Sequence, residues 1–215
     1  MSADLPSIQR ISGTLHALTH EAHVGANKRP SYGIYRFLIG HQPYVMYAGE
    51  NFGNALPFLA EGDQVDIAAH DAPLASDDPH RLVYAMRNLE DDRVYVSHRV
   101  FRFMHTDIGP VGVGPGQRTP MLKLIGWLLL ITWLIFVGIV YTTGTPQTLA
   151  ELPELATVIG GGMLIVWLVF ALPLLFLDTR WRLGKPTRRQ RILDRVYATL
   201  NLGTPFAPTA RIEEL

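Results

Sequence analysis

Three histidines fall within eight residues near the start of the chain, His16, His20 and His23, and imidazole is the commonest protein ligand for transition metals. On a helix His16 and His20 would share a face and could hold an ion with a third donor. In an extended segment they stand roughly 13 Å apart, too far to share one ion. The surrounding sequence reads as strand, so the expectation is hydrogen-bonded or solvated histidines at a strand end and no metal site. The carboxylate pairs have the types needed for acid–base work, but Asp77 with Asp78, and Glu90 with Asp91 and Asp92, fall in turn-like sequence where charge runs are solvated. Ser31 and Ser97 have neither a nucleophile elbow nor a paired base nearby. Cysteine is absent, which excludes disulfides, thiolate catalysis and Cys-ligated metals. The glycine run Gly109–Gly116 lacks the Lys-Ser/Thr ending of a phosphate-binding loop. No catalytic signature emerges, and no cofactor is expected.

What remains is recognition chemistry. Tyr32, Arg36, Tyr44 and Tyr84 are the candidate ligand face of the N-terminal region, aromatic rings for stacking beside a guanidinium for hydrogen bonding. With Phe52, Lys28, Arg29 and Arg87 they are the ingredients of a nucleic-acid groove. Residues 1–119 nevertheless carry three more acidic than basic side chains, and phosphate binding is dominated by cationic charge; the balance argues against nucleic acid.

Strands must position that face. Ile8–Leu18 is a candidate first strand; Tyr32–Ile39 alternates, with Tyr35, Phe37 and Ile39 on one side and Tyr32, Ile34, Arg36 and Leu38 on the other; Tyr44–Ala48 follows a Gly40-His41-Gln42-Pro43 turn. Phe52–Ala60 has helical spacing interrupted by Pro57, Glu61-Gly62-Asp63 turns the chain into Gln64–Ala69, and Arg81–Asn88 and Arg93–Phe103 complete the set around a Glu90-Asp91-Asp92 turn. Five or six strands this short favour a small barrel, because closure removes exposed edges. The segment Phe58-Leu59-Ala60-Glu61-Gly62-Asp63-Gln64-Val65-Asp66-Ile67 resembles the L-x-x-G-D-x-V lead-in to the fourth strand of many OB-fold barrels, a likeness that spans Ile8–Val100. In that likeness Gly62 takes a positive φ while Val65 and Ile67 point inward.

Beyond a Gly/Pro linker the chain changes character. Leu124–Ala150 and Leu155–Leu177 carry no charged side chain, and each contains an apolar run long enough, at roughly 18 residues or more, to cross a bilayer as a helix. Arg118 and Lys123 precede the first run; Arg180, Arg182, Lys185, Arg188, Arg189 and Arg191 follow the second; the intervening Thr142–Glu154 holds Glu151 and Glu154 but no Lys or Arg. Positive charge at both outer ends places them in the cytoplasm, in agreement with a start, MSADLPSIQRISGTLHAL, that lacks the plan of a secretory signal. The six basic residues are expected to face anionic lipid headgroups. Ala156, Gly160, Gly161 and Gly162 give a small-residue face for close helix packing, and no internal repeat is apparent. Thr187–Leu200 is amphipathic, with Ile192, Leu193, Val196, Tyr197 and Leu200 on one stripe, and is expected to lie in the headgroup region.

The expected organisation is therefore a mainly β, OB-like barrel of five to six strands over 1–107, a linker over 108–120, a transmembrane helical hairpin over 121–178, and a basic amphipathic helix with tail over 179–215. The parts resemble those of NfeD-like membrane proteins, which also join spans to an OB-like barrel, although here the barrel precedes the spans. The expected role is a multi-pass bacterial inner-membrane binding or scaffold protein, with both termini cytoplasmic and a membrane-protein partner or second copy. An immunity or regulatory subunit, or a small-ligand sensor or enzyme using the aromatic face, are the alternatives.

Overall fold

The computed structural model describes residues 5–24, 30–49, 57–97 and 115–215. Strands β1 (Ile8–Val24), β2 (Pro30–Ile39), β3 (Gln42–Ala48), β4 (Gln64–Pro73) and β5 (Arg81–Asn88) form a closed barrel: β3 pairs β2, β2 pairs β1, β1 pairs β4, β4 pairs β5, and a parallel β3–β5 pairing over Tyr44–Met46 and Arg81–Val83 completes the circuit. The alternation on β2 is realised as expected. Tyr35, Phe37 and Ile39 point into a core with Leu15, Tyr44, Met46, Val65, Ile67, Val83, Met86 and Tyr95.

β1 is longer than its hydrophobic pattern implied because it serves two partners. Ile8–Thr14 pairs β4 and Leu15–Val24 pairs β2, and a bulge between His16 and Thr19, with Ala17 at φ 51°, bends the strand between the two. The lead-in to β4 buttresses that bend. Gly62 has φ +95°, its N–H donates to the Leu15 carbonyl at 2.9 Å, and the Leu15 N–H donates to the Asp63 carbonyl at 2.9 Å. The Glu61 carboxylate accepts from the Ala17 and Leu18 amides at 2.8 and 2.9 Å. Asp63, buried, accepts from the Ala60 amide at 2.9 Å and the Asn88 side chain at 3.0 Å. One turn thus ties the bulge, the start of β4 and the end of β5 together.

The domain division differs from the sequence expectation. β6 (Arg93–Val96) pairs antiparallel with β5 and parallel with β9 (Arg211–Glu214), with Arg93 opposite Arg211 and Val96 opposite Glu214, and Leu215 sits in the barrel core. Helix α3 (Arg188–Thr199) packs on β1, and the Arg195 guanidinium donates to the Pro6 carbonyl at 3.1 Å. The barrel unit is accordingly Met1–Gly114 together with Pro186–Leu215, and the second unit is Pro115–Lys185. A short antiparallel pair, β7 (Gly203–Thr204) with β8 (Ala207–Pro208), links α3 to β9. The expected continuation of the sixth strand to Phe103, the first half of the Phe52–Ala60 helical turn and most of the 108–120 linker lie outside the described residues.

The second unit is two helices, α1 (Pro115–Thr143) and α2 (Pro146–Arg182). Both are long and apolar enough to cross a membrane, each with mean hydropathy 2.4 over its best window, and at most 6% of either window is buried. Contacts run antiparallel: the Trp133 ring meets Gly160 and the Trp167 ring meets Gly126. The connection is tight, Thr145 capping the start of α2 by accepting from the Thr148 amide.

Two outcomes follow. Gly62 has open space around the position of a Cβ, so Gly62→Val acts through backbone strain alone and should lower the unfolding free energy by about 1 kcal/mol or more, read from chemical denaturation of the detergent-solubilised chain. A 1–107 fragment lacks α3 and β9; exposing what they cover costs on the order of several kcal/mol. It should bind a hydrophobic dye and melt without cooperativity, and a peptide of residues 186–215 should restore a cooperative transition.

Candidate functional site

The outward side of β2 and β3 carries the recognition chemistry. The register places Ile34 opposite Tyr47, Arg36 opposite Val45 and Leu38 opposite Pro43, and all but buried Val45 are half-buried. Tyr32 and Tyr47 approach with ring centroids 6.2 Å apart in a tilted arrangement. Arg36, pointing outward from the middle of the patch, pairs with Glu21 across β1 at 2.7 Å, and that hydrogen bond raises the guanidinium above its ordinary pKa. Burial pushes the Tyr47 phenol up, with Arg36 pulling the other way. The result is an aromatic and aliphatic surface along the sheet, with one cation already neutralised by its neighbour. It suits contact with another apolar surface better than capture of a free anion.

Of the four residues expected to share a ligand face, the structure brings only Tyr32 and Arg36 to it. Tyr44 points the other way, into the barrel, where it is 2% exposed and stacks on Phe37 at 6.0 Å. Tyr84 lies at an irregularity in the β4–β5 ladder, between Val83 and Ala85, and is fully buried. Tyr44 is a correct strand residue on the wrong side, since a one-residue change of parity moves a side chain through the sheet, whereas Tyr84 is in the expected strand but covered, and is not among the side chains of the barrel core. Tyr47 was the member missed, whereas the β2 alternation already sets Ile34 on this side with Tyr32, Arg36 and Leu38. Carrying the β2 alternation across the Gly40–His41 turn in antiparallel register would have found Tyr47.

Most of the polar candidates whose side chains are described are held by a partner. His16 lies 3.8 Å from Glu61, His20 stacks on Tyr35 at 4.4 Å, and His23 stands opposite Tyr32 in the β1–β2 ladder; among the described residues no group of three His, Asp or Glu gathers as a metal site. The Asp78 carboxylate accepts from the His80 amide at 3.0 Å and contacts its ring nitrogen at 2.6 Å, which holds it below the usual carboxylate range. Asp91 and Asp92 pair with Arg93 and Arg87. Buried Asp66 accepts from Arg10 and Ser12 across the β1–β4 ladder. Buried Ser97 donates to the Tyr47 carbonyl. Glu61, fully exposed, is nevertheless shifted below the ordinary Glu value, first by the Leu18 amide and then by that of Ala17.

The basic residues divide between the two units. Arg180, Arg182 and Lys185 lie at the end of α2, where Gly184 at φ +75° closes the helix and the Lys185 amide donates to the Arg180 carbonyl at 3.0 Å. An open groove there is lined by Phe176, Thr179, Arg180, Leu183 and Lys185, with Phe176 and Leu183 well exposed. Arg188, Arg189 and Arg191 belong to the first turn of α3, whose Thr187 and Gln190 form a capping box. The apolar stripe of α3 is not available to lipid: Ile192, Leu193, Val196, Tyr197 and Leu200 are all buried within the barrel unit. Beside β1, on which α3 packs, the small outward residues Ala68 of β4 and Ala85 of β5 are fully buried as well. An amphipathic stripe specifies an apolar neighbour without specifying which one. In the hairpin, Ala156 and Gly160 meet the first helix, while Gly161 and Gly162 face open space.

Comparison of the chain with protein-family models, with curated proteins and with solved structures finds no match.

Burial raises the Tyr84 phenol to about 12, with Asp71 adding to the shift. A group whose folded pKa is raised stabilises the fold fully below its unfolded value, near 10, and loses that contribution as pH climbs through the folded one. Tyr84 should therefore stay protonated while exposed tyrosines ionise. Absorbance titration at 295 nm alongside circular dichroism should show the last ionisation coinciding with loss of the barrel between about pH 10 and 12, and Tyr84→Phe should move that loss to higher pH.

Proposed function

We propose that the chain is a membrane-anchored binding protein. Its OB-like barrel is held at the cytoplasmic face of a bacterial inner membrane by a transmembrane hairpin, and it presents the Tyr32, Arg36, Tyr47 face to a protein partner. The observation that carries this reading is the insertion of the hairpin within the barrel unit. β6 and β9 belong to one sheet although the two long helices intervene, which supports an even number of crossings, two, between the halves of one domain. The side is chosen by charge: Lys123 before the spans and Arg180, Arg182 and Lys185 after them, against a Lys/Arg-free connection containing Glu151 and Glu154. OB-likeness is supported by the β1-β2-β3-β5-β4 circuit with its parallel β3–β5 closure and by the positive φ of Gly62 before β4.

Scaffolding is favoured over small-ligand sensing because Tyr44 and Tyr84 are buried, leaving a shallow outward patch with half-buried Ile34, Leu38, Pro43 and Tyr47 about Arg36. The basic end of α2 fits anionic headgroups, about 1 kcal/mol for each basic residue near the surface.

A reporter active only outside the cytoplasm should work when inserted between Gly144 and Thr145 and stay silent when inserted at Asp77 in the exposed β4–β5 loop. The reverse pattern overturns the orientation, and equal activity overturns the crossing. Gentle detergent extraction should recover the chain with a stoichiometric partner that Arg36→Gln with Tyr47→Leu releases at a temperature where the variant's circular dichroism shows the barrel still folded.

A further inference from the structure

The two helices of the hairpin share a sequence pattern, with six of eleven positions identical. Gly126–Phe136 reads GWLLLITWLIF and Gly160–Phe170 reads GGGMLIVWLVF, so that Gly, Leu, Ile, Trp, Leu and Phe recur at identical offsets: 126 and 160, 130 and 164, 131 and 165, 133 and 167, 134 and 168, 136 and 170. The uniform apolar background hides the match, since Leu and Ile recur in any span; the Gly and Trp seven residues apart are what mark it.

The structure uses the two copies reciprocally. The Trp133 indole N–H donates to the Ala156 carbonyl at 2.9 Å, and the Trp167 indole N–H donates to the Leu122 carbonyl at 3.1 Å. Ala156 is four residues before Gly160 and Leu122 four before Gly126, so each ring takes the carbonyl one helical turn ahead of the other copy's glycine. A Cβ built on Gly160 would stand 2.9 Å from the Trp133 indole nitrogen, and one on Gly126 3.3 Å from that of Trp167. The glycine removes the side chain that would screen the carbonyl, and the ring fills the gap. The apolar groove along this face, about 280 Å³, is lined by equivalent positions throughout, Leu129 with Met163 and Leu130 with Leu164 beside the two Gly–Trp pairs.

We propose that the hairpin is an inverted internal repeat locked by two equivalent indole–carbonyl clamps, and that these clamps set the register of one span against the other. The inference rests on the hairpin lying in an apolar medium. There the two helices gain nothing from excluding lipid tails, which are as apolar as leucine, so close packing and interhelical hydrogen bonds decide the pairing. An indole N–H in hydrocarbon must also find an acceptor or pay for its absence. Sliding α2 by one turn, about 5.4 Å, would break both clamps at once and drive a side chain under each ring. Trp133 and Trp167 are therefore positioning residues for the hairpin, whereas Trp127, 62% exposed, is not.

The test uses the purified full chain in detergent micelles, so it is independent of which side of a membrane the barrel occupies. In a 15N-tryptophan spectrum of the unaltered chain, the Trp133 and Trp167 indole protons should resonate downfield of that of Trp127. Trp133→Phe and Trp167→Phe keep a ring and delete the donor. Each should lower the melting temperature of the helical signal by a similar amount, about 2–4 °C, with Trp127→Phe leaving it unchanged. Gly160→Val should be destabilising and Gly161→Val neutral. Exchanging Leu129 with Met163 and Ile135 with Val169, equivalent positions of the two copies, should preserve the melt, because the copies are interchangeable at the clamp. Indole protons of Trp133 and Trp167 coincident with that of Trp127, or equal effects of Gly160→Val and Gly161→Val, would overturn the proposal. A clamp effect confined to one of the two tryptophans would overturn the two-copy device.

Discussion

The parallel pairing of β6 with β9 is the constraint on which the architecture depends. Arg93 and Arg211 are register neighbours, yet the whole hairpin lies between them in sequence. Because those strands belong to one sheet, the hairpin is an insertion within a domain and not an anchor appended to its end. The constraint extends to α3, which can only lay its stripe on the barrel unit because β9 brings the chain back to it. Each half of the arrangement needs the other: the barrel lacks an apolar cover without the C-terminal segment, and that segment has no fold apart from the barrel.

What the sequence could and could not reveal follows from how local each signal is. Tyr35, Phe37 and Ile39 declared an inward face through period-two alternation, the long uncharged runs declared themselves by length, and Gly62 marked a turn that needs a positive φ. These are properties of a few adjacent residues. β9 is four residues, Arg-Ile-Glu-Glu, without alternation that stands out from a charged tail. Only its nonlocal partner makes it a strand. The α3 stripe was visible but ambiguous, since lipid and barrel reward the same pattern of Ile, Leu, Val and Tyr. Tyr44 and Tyr84 went astray for a third reason: composition identifies an aromatic residue, whereas its side of the sheet depends on register, as at Tyr44, and its exposure on what covers it, as at Tyr84. Tyr32 and Arg36 were placed correctly because they share the β2 alternation that also defines the core.

The polar chemistry of the barrel is spent on shape. Glu61 closes over the amides that the β1 bulge leaves pointing outward, Asp63 joins two strand ends, Asp66 bridges β1 and β4 through Arg10 and Ser12, and Ser97 ties its strand to the carbonyl of Tyr47. A carboxylate holding backbone amides is poorly suited to shuttling protons, since its hydrogen bonds stabilise one ionisation state and one position. A binding role asks less of these groups: it needs a rigid sheet and a surface whose side chains are already ordered, which the Arg36–Glu21 pair and the Tyr32–Tyr47 contact supply.

The insertion also has a consequence in time. Synthesis delivers β1 to β6 first, then more than a hundred residues pass before Arg211 emerges to pair with Arg93. At about 5–20 residues per second that interval lasts roughly 6–24 s, far longer than a small barrel needs to collapse. During it the free side of β6 and the apolar face later covered by α3 stand open on the nascent chain, while the two long apolar helices are themselves seeking a nonaqueous environment. A cell making this protein must therefore shield an unfinished sheet until the chain's last strand has emerged, so the order in which the parts are made works against the order in which they close.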